Sequence, residues 1–171
     1  MMRRGLLLTI TEPPPGMEEE FNAWYDDEHL PERLSIPGFL SARRWVRDGR
    51  PGEGRYLATY ELESAAVLAS PPYLSRFQNP TPWTRRCLGK AVVFRRWACE
   101  QSEPGAQDPD PAAQALVLVL GSSPPSLPAV PGALRTRRFA ASEGAPAHVA
   151  LVELAGKPPQ LASHPVYRSM P

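Results

Sequence analysis

Leu6 to Thr11 is an apolar, β-rich run that stops at Glu12-Pro13-Pro14-Pro15-Gly16, a segment that neither continues a strand nor opens a helix smoothly. Met17 to His29 changes the period. Large apolar groups at Met17, Phe21, Trp24 and Tyr25 recur at helical spacing, and Glu18, Glu19 and Glu20 fill the first turn, where carboxylates complement the helix dipole. Pro31 disfavours the α conformation at Leu30, which sets the predicted end of this helix near His29. Ile36-Pro37-Gly38 turns the chain into Phe39 to Arg47, and Asp48-Gly49-Arg50-Pro51-Gly52 joins that run to Arg55 to Leu62 as a hairpin. Glu63 to Ser70 is a short helix candidate, the stretch holding Pro71, Pro72, Pro80 and Pro82 reads as irregular, and Lys90 to Ala98 is again extended. The order β-α-β-β-α-β is the ferredoxin-like split βαβ motif, an α+β fold with both helices on one face of an antiparallel sheet. Its other face is bare, so a sheet face bearing Trp45, Tyr60 or Phe94 needs a second layer.

A partial copy of the pattern supplies one. Glu100 to Pro111 is polar, holds proline and glycine, and reads as a linker. Beyond it, Ile36-Pro37-Gly38-Phe39-Leu40-Ser41-Ala42-Arg43-Arg44-Trp45 is echoed 94 residues on (36 to 130) by Val130-Pro131-Gly132-Ala133-Leu134-Arg135-Thr136-Arg137-Arg138-Phe139. Leu57 to Leu62 is matched by Val149 to Leu154, Ala69 to Pro72 by Ala162 to Pro165, and Ala115 to Leu120 takes the place of the first strand. This predicts a complete unit at 1–99, a linker at 100–112, and a degenerate repeat at 113–171. The repeat lacks the first helix, and the chain reads as ending after a second helix candidate, with no room for a fourth strand.

Composition narrows the function classes. The 171 residues are 42% apolar and 22% charged, as in an ordinary soluble domain, and proline is the outlier at 22 residues, about 13% against roughly 5% on average. A net charge of +1 gives no field to gather nucleic acid, and no apolar stretch approaches the ~20 residues that span a bilayer. The apolar part of the opening 1–10 is also too short for a secretory leader, and two cysteines, Cys87 and Cys99, form no disulfide framework, so a cytoplasmic protein is expected.

Residues 22–33 carry the candidate chemistry. On one helix, Asn22, Tyr25, Asp26, His29 and Arg33 share a face. His29 in the last turn gains from the dipole and from Asp26 and Glu28, which raise its pKa, while burial lowers it. It serves either as an acid/base oriented by Asp26 or as a salt-bridged helix cap. His148 and His164 have no acidic neighbours at ligand spacing, so no metal site is expected.

Phe21-Asn22-Ala23-Trp24-Tyr25-Asp26-Asp27-Glu28-His29-Leu30-Pro31, followed by Ile36-Pro37-Gly38-Phe39 and a strand bearing Arg43-Arg44, resembles the EthD-like branch of the dimeric α/β-barrel superfamily over residues 1 to about 98. The resemblance implies two ferredoxin-like sheets packed face to face as an α/β barrel, with a pocket between sheet and helices. Here the tandem repeat provides an intrachain pseudo-dimer, the homodimer usual in the superfamily being the alternative. It implies a small-molecule enzyme working by cofactor-independent proton transfer or oxygenation on an aromatic or polyketide-like substrate. His29, Asp26 and Tyr25 would be catalytic, with Asn22, Trp24 and Arg44 holding substrate. Two other readings stand beside it: a non-catalytic ligand-binding or accessory pathway protein, and haem binding through a histidine, which nothing in the sequence selects.

Overall fold

The computed structural model describes residues 2–171; Met1 lies outside the described residues. Among these, eight antiparallel strands close a barrel: β1 (Gly5–Glu12), β2 (Phe39–Val46), β3 (Tyr56–Leu62), β4 (Val93–Glu103), β5 (Ala115–Gly121), β6 (Ala133–Glu143), β7 (His148–Leu154) and β8 (Val166–Ser169). Around the barrel they run β1-β3-β2-β8-β5-β7-β6-β4. Helices pack on the outside of the first four strands, giving a mixed α+β molecule.

Alternation along the strands separates two environments. Leu6, Leu8 and Ile10 of β1 point into the barrel, where Trp45, Trp97, Leu118, Leu151 and Tyr167 meet them. Leu7 of β1 and Tyr56, Ala58, Tyr60 and Leu62 of β3 point outward, under the helices. Of the three aromatics that could have occupied the bare face, Trp45 is the one inside the barrel. Trp45 fills the barrel, Tyr60 lies beneath the helices, and Phe94 is half-exposed. One end of the interior is charged: Arg137 lies 2.7 Å from Glu61 and 2.9 Å from Glu153, all three buried.

The helices depart from expectation where prolines occur. α1 (Glu18–Trp24) runs through a π turn at Tyr25–His29 into α2 (Leu30–Leu34), passing Pro31 rather than ending at His29. An α-helical proline ring collides with the carbonyl four residues back, and the wider turn just before Pro31 relieves that crowding. Residues 71–89 are not irregular. After a 3₁₀ turn at Ala65–Ala69 they form α3 (Pro71–Gln78) and α4 (Pro82–Gly89), each with proline in its first turn, where a missing N–H costs nothing. Thr81 caps α4, its Oγ1 accepting the Thr84 N–H at 3.0 Å.

The second four strands carry no helix. The small outer-face residues Ala115, Val117, Val119, Ala150 and Val152 are covered instead by Leu127, Val130 and Leu161 from the proline-rich segments 122–132 and 155–165. The fourth strand that the sequence left no room for is present as β8, pairing with β2 and β5, and the expected second helix before it is absent. The expected linker also shrinks, because β4 continues through Glu103 by pairing with β6. Gln101 is fully buried and accepts the backbone N–H groups of Gly105 and Gln107. In each set of four, the strands follow one order, β4-β1-β3-β2 and β8-β5-β7-β6. Their hairpins share a register: Phe39 faces Leu62 as Ala133 faces Leu154, Arg44 faces Ala58 as Arg138 faces Ala150, and each slips once, at Leu40 and at Leu134.

Candidate functional site

The register of β1 places Thr9 beside Arg96 of β4 and Leu7 beside Tyr60 of β3, all on the face turned to the helices. Above them the π turn moves His29 to a place an α-helix would not give it. With i to i+5 spacing, the His29 ring lies on Trp24, centroids 4.5 Å apart, and edge-on to Tyr25 at 5.2 Å. Trp24 is fixed from behind by its indole N–H donating to Thr84 Oγ1 of α4 at 3.1 Å.

Between this turn, α3, α4 and the sheet lies a cavity of about 170 Å³. Leu7, Tyr25, His29, Tyr60, Tyr73 and Leu88 belong to its wall, with the half-exposed Phe77 and Phe94 at its edge. Three wall residues, Thr9, His29 and Tyr60, each hold a fully buried polar atom without a hydrogen-bond partner: Thr9 Oγ1, His29 Nδ1 and the Tyr60 hydroxyl, although Tyr25 lies beside the last. An unmade hydrogen bond in such a place costs ~1–3 kcal/mol.

Of the two opposing effects on His29, burial is the larger. Burial, then the Arg33 and Arg44 guanidiniums, push the His29 pKa down to about 3, so its imidazole is neutral at ordinary pH. Asp26 does not orient it. Its carboxylate is mostly exposed and lies 3.6 Å from Arg44, and it makes neither hydrogen bond nor ion pair with His29. Glu28 is also turned away, accepting the Thr81 hydroxyl at 2.7 Å. Burial, foremost, raises the pKa of Tyr60 as well, which keeps its phenol protonated.

Of the six residues singled out in the sequence, His29 and Tyr25 line the cavity. Asn22, Asp26 and Arg44 form a separate cluster alongside: Arg44 donates to Asn22 Oδ1 at 2.7 Å and lies over the Tyr25 ring at 4.2 Å. Trp24 backs the imidazole rather than facing the hollow. Thr9, Tyr60, Arg33, Arg85 and Arg96 also belong to the wall, and of these the sequence placed only Arg33, on the polar face it shares with His29. Thr9 could have been noticed, as the polar member within the run Leu6 to Ile10 that shares a pleat side with Leu7.

Burial raises the Cys99 pKa to about 12 and also raises that of Cys87, so neither thiol is activated. Among the described residues no group of three His, Cys, Asp or Glu is placed to hold a metal, and no helix is long and apolar enough to cross a membrane.

No family model matches the chain. A solved structure of an anthrone oxidase-like protein aligns with it at a TM-score of 0.58, over 92% of this chain and 75% of that one, with 13% identity. The fold is shared. In sequence, core atranone cluster (CAC) protein 1 of Stachybotrys chlorohalonatus (strain IBT 40285) is 30% identical over 80 residues, which are 46% of this chain and 34% of that protein. The chain thus spans about a third of that relative's length.

Proposed function

We propose that the chain is a small-molecule enzyme that moves a proton on an aromatic or polyketide-like substrate held in the His29 cavity. One observation carries the reading: a hollow, open on the side of Phe77 and Phe94, whose wall holds a neutral imidazole together with buried, unpartnered polar atoms on Thr9, His29 and Tyr60. A polar ligand atom relieves such groups. His29 accepts a proton from an acidic C–H of the substrate, and the Tyr60 phenol and the Arg33 guanidinium stabilise the enolate that remains; the enolate is reprotonated at another carbon, or its carbon bonds to dissolved dioxygen, the peroxide takes the proton back from His29, and loss of one water leaves a carbonyl. The anthrone oxidase-like fold and the relative named for a biosynthetic cluster support a role in small-molecule metabolism. No cofactor is needed for the proton step, and the cavity, about 170 Å³, is smaller than the ~300–1,000 Å³ of ordinary ligand sites.

The same reading treats residues 1–99 and 113–171 as tandem ferredoxin-like units of the EthD-like, dimeric α/β-barrel type, the second worn down and closing the barrel within one chain. Shared strand order and hairpin register support it. On this reading the protein has one site per chain, and a homodimer is not needed to complete the barrel. No partner beyond the small molecule is invoked, and its place is the cytoplasm.

A second reading, binding without catalysis, is favoured by the suppressed basicity of His29. Deuterium exchange into 2-tetralone, a bicyclic ketone with an acidic methylene, separates the two when followed by NMR in D₂O without oxygen. Catalysed exchange that falls about a hundredfold or more in His29→Gln, with melting temperature little changed, is expected for the enzyme. Binding with no exchange above the buffer rate assigns the site to binding alone.

A further inference from the structure

Three arginines, Arg33, Arg85 and Arg96, line the His29 cavity, and no Asp or Glu does. Two of them have carboxylate partners outside the wall. Arg33 pairs with Glu32 at 2.8 Å, a carboxylate it shares with Arg76 at 3.8 Å, and Arg96 pairs with the mostly exposed Glu143 while donating to the Tyr73 hydroxyl at 2.9 Å. Arg85 has no ion pair among the described residues. It is an exposed residue of α4 that lines the cavity together with the half-exposed Phe77 and Phe94, and the Arg96 guanidinium lies over Phe77 at 5.2 Å. The wall therefore combines an aromatic, apolar interior with excess positive charge, and its volume admits one or two rings rather than a larger system.

We infer that the ligand of this cavity is a one- or two-ring aromatic acid, its ring lying inward against Leu7, Tyr60 and His29 and its carboxylate held by Arg85. The inference rests on the proposal that this cavity is the ligand site, and it adds the charge and size of what enters. A carboxylate suits a guanidinium fork because two N–H groups meet two oxygens at once. Arg85 is the group free to make that contact, since Arg33 and Arg96 are already engaged. An anion there also leaves Glu143 and Glu32 in place and needs no carboxylate to be stripped from its arginine.

The test compares 2-naphthoate with 2-naphthamide, which has the same shape and no charge, by calorimetry at pH 7, with the ¹⁵N-labelled His29 ring resonance as the marker that binding is in this cavity. The acid is expected to bind about tenfold or more tightly than the amide, a preference that contracts toward unity in Arg85→Gln and in high salt. Equal affinities, or a preference unchanged in Arg85→Gln, overturn the inference while leaving the cavity as the ligand site. If neither compound moves the His29 resonance, the cavity is not the site, and both readings fall together.

Discussion

His29 is neutral because of where it lies, and that neutrality has a pH-dependent cost. Its folded-state pKa is about 3, against ~6.5 in an unfolded chain, so between those values the unfolded state binds a proton that the folded state refuses. Stability is fully present above pH ~6.5 and falls as pH drops toward 3, by about 2 kcal/mol at pH 5. Burial raises the Glu61 pKa, an effect of opposite sign, so the comparison must be made against a variant. His29→Phe keeps a ring on Trp24 and removes the titration. Urea unfolding at pH 7 and pH 5 should show the wild type losing about 2 kcal/mol more than the variant; equal losses would mean the imidazole is charged when folded. The sequence made this residue visible as the one proton carrier on a polar face, but not its partners. Five-residue spacing brings His29 onto Trp24 and leaves Asp26 turned toward Arg44, and no helical wheel drawn at 3.6 residues per turn contains that displacement.

At the scale of elements, prolines misled in one direction only. Pro71, Pro72 and Pro82 read as breakers, yet each lies in a first helical turn, and the helices they open carry Tyr73, Phe77, Thr84 and Leu88 to the cavity. The strands were legible because alternation and turn composition are local, whereas the side each strand turned to the core depended on a second sheet that only the closed barrel supplies. Thr81 ties this region together, capping α4 and donating to Glu28 on the π turn. Thr81→Ala should lower stability by about 1 kcal/mol, through the lost cap and the unpaired Glu28. Because α4 forms one wall, the same change should weaken binding of 2-naphthoate more than Gln78→Ala, an exposed α3 position outside the wall, measured by the same calorimetry.

The whole molecule depends on closing a barrel from two sets of strands, and the two seams are unequal. β4 and β6 pair over Ala98 to Glu103, but β2 and β8 share only Trp45 with Ser169 and Val46 with Arg168, helped by the Met170 N–H donating to the Arg44 carbonyl. The echo of Ile36 to Trp45 at Val130 to Phe139 was readable in sequence because hairpins keep their turn residues; β8 was not, since four residues carry too little pattern to be seen. Side chains reinforce that seam: Arg43 of β2 donates to Ser169 Oγ of β8 at 2.8 Å, and Tyr167 packs beneath it. Tyr167 is buried within the barrel, its hydroxyl donating at 3.0 Å to the Gly54 carbonyl in the β2–β3 loop, with the Arg47 guanidinium over its ring at 5.5 Å. Packing and hydrogen bonding can be separated there. Tyr167→Phe should cost about 1 kcal/mol, the worth of one buried hydrogen bond, whereas Tyr167→Ala should cost about 3–5 kcal/mol by emptying the core. A seam that opens exposes the edges of β2 and β8, and free edges recruit other chains. The alanine variant should therefore self-associate on size-exclusion chromatography under conditions where the phenylalanine variant remains like the wild type. If both variants matched the wild type in stability and elution, β8 would not be what closes the barrel.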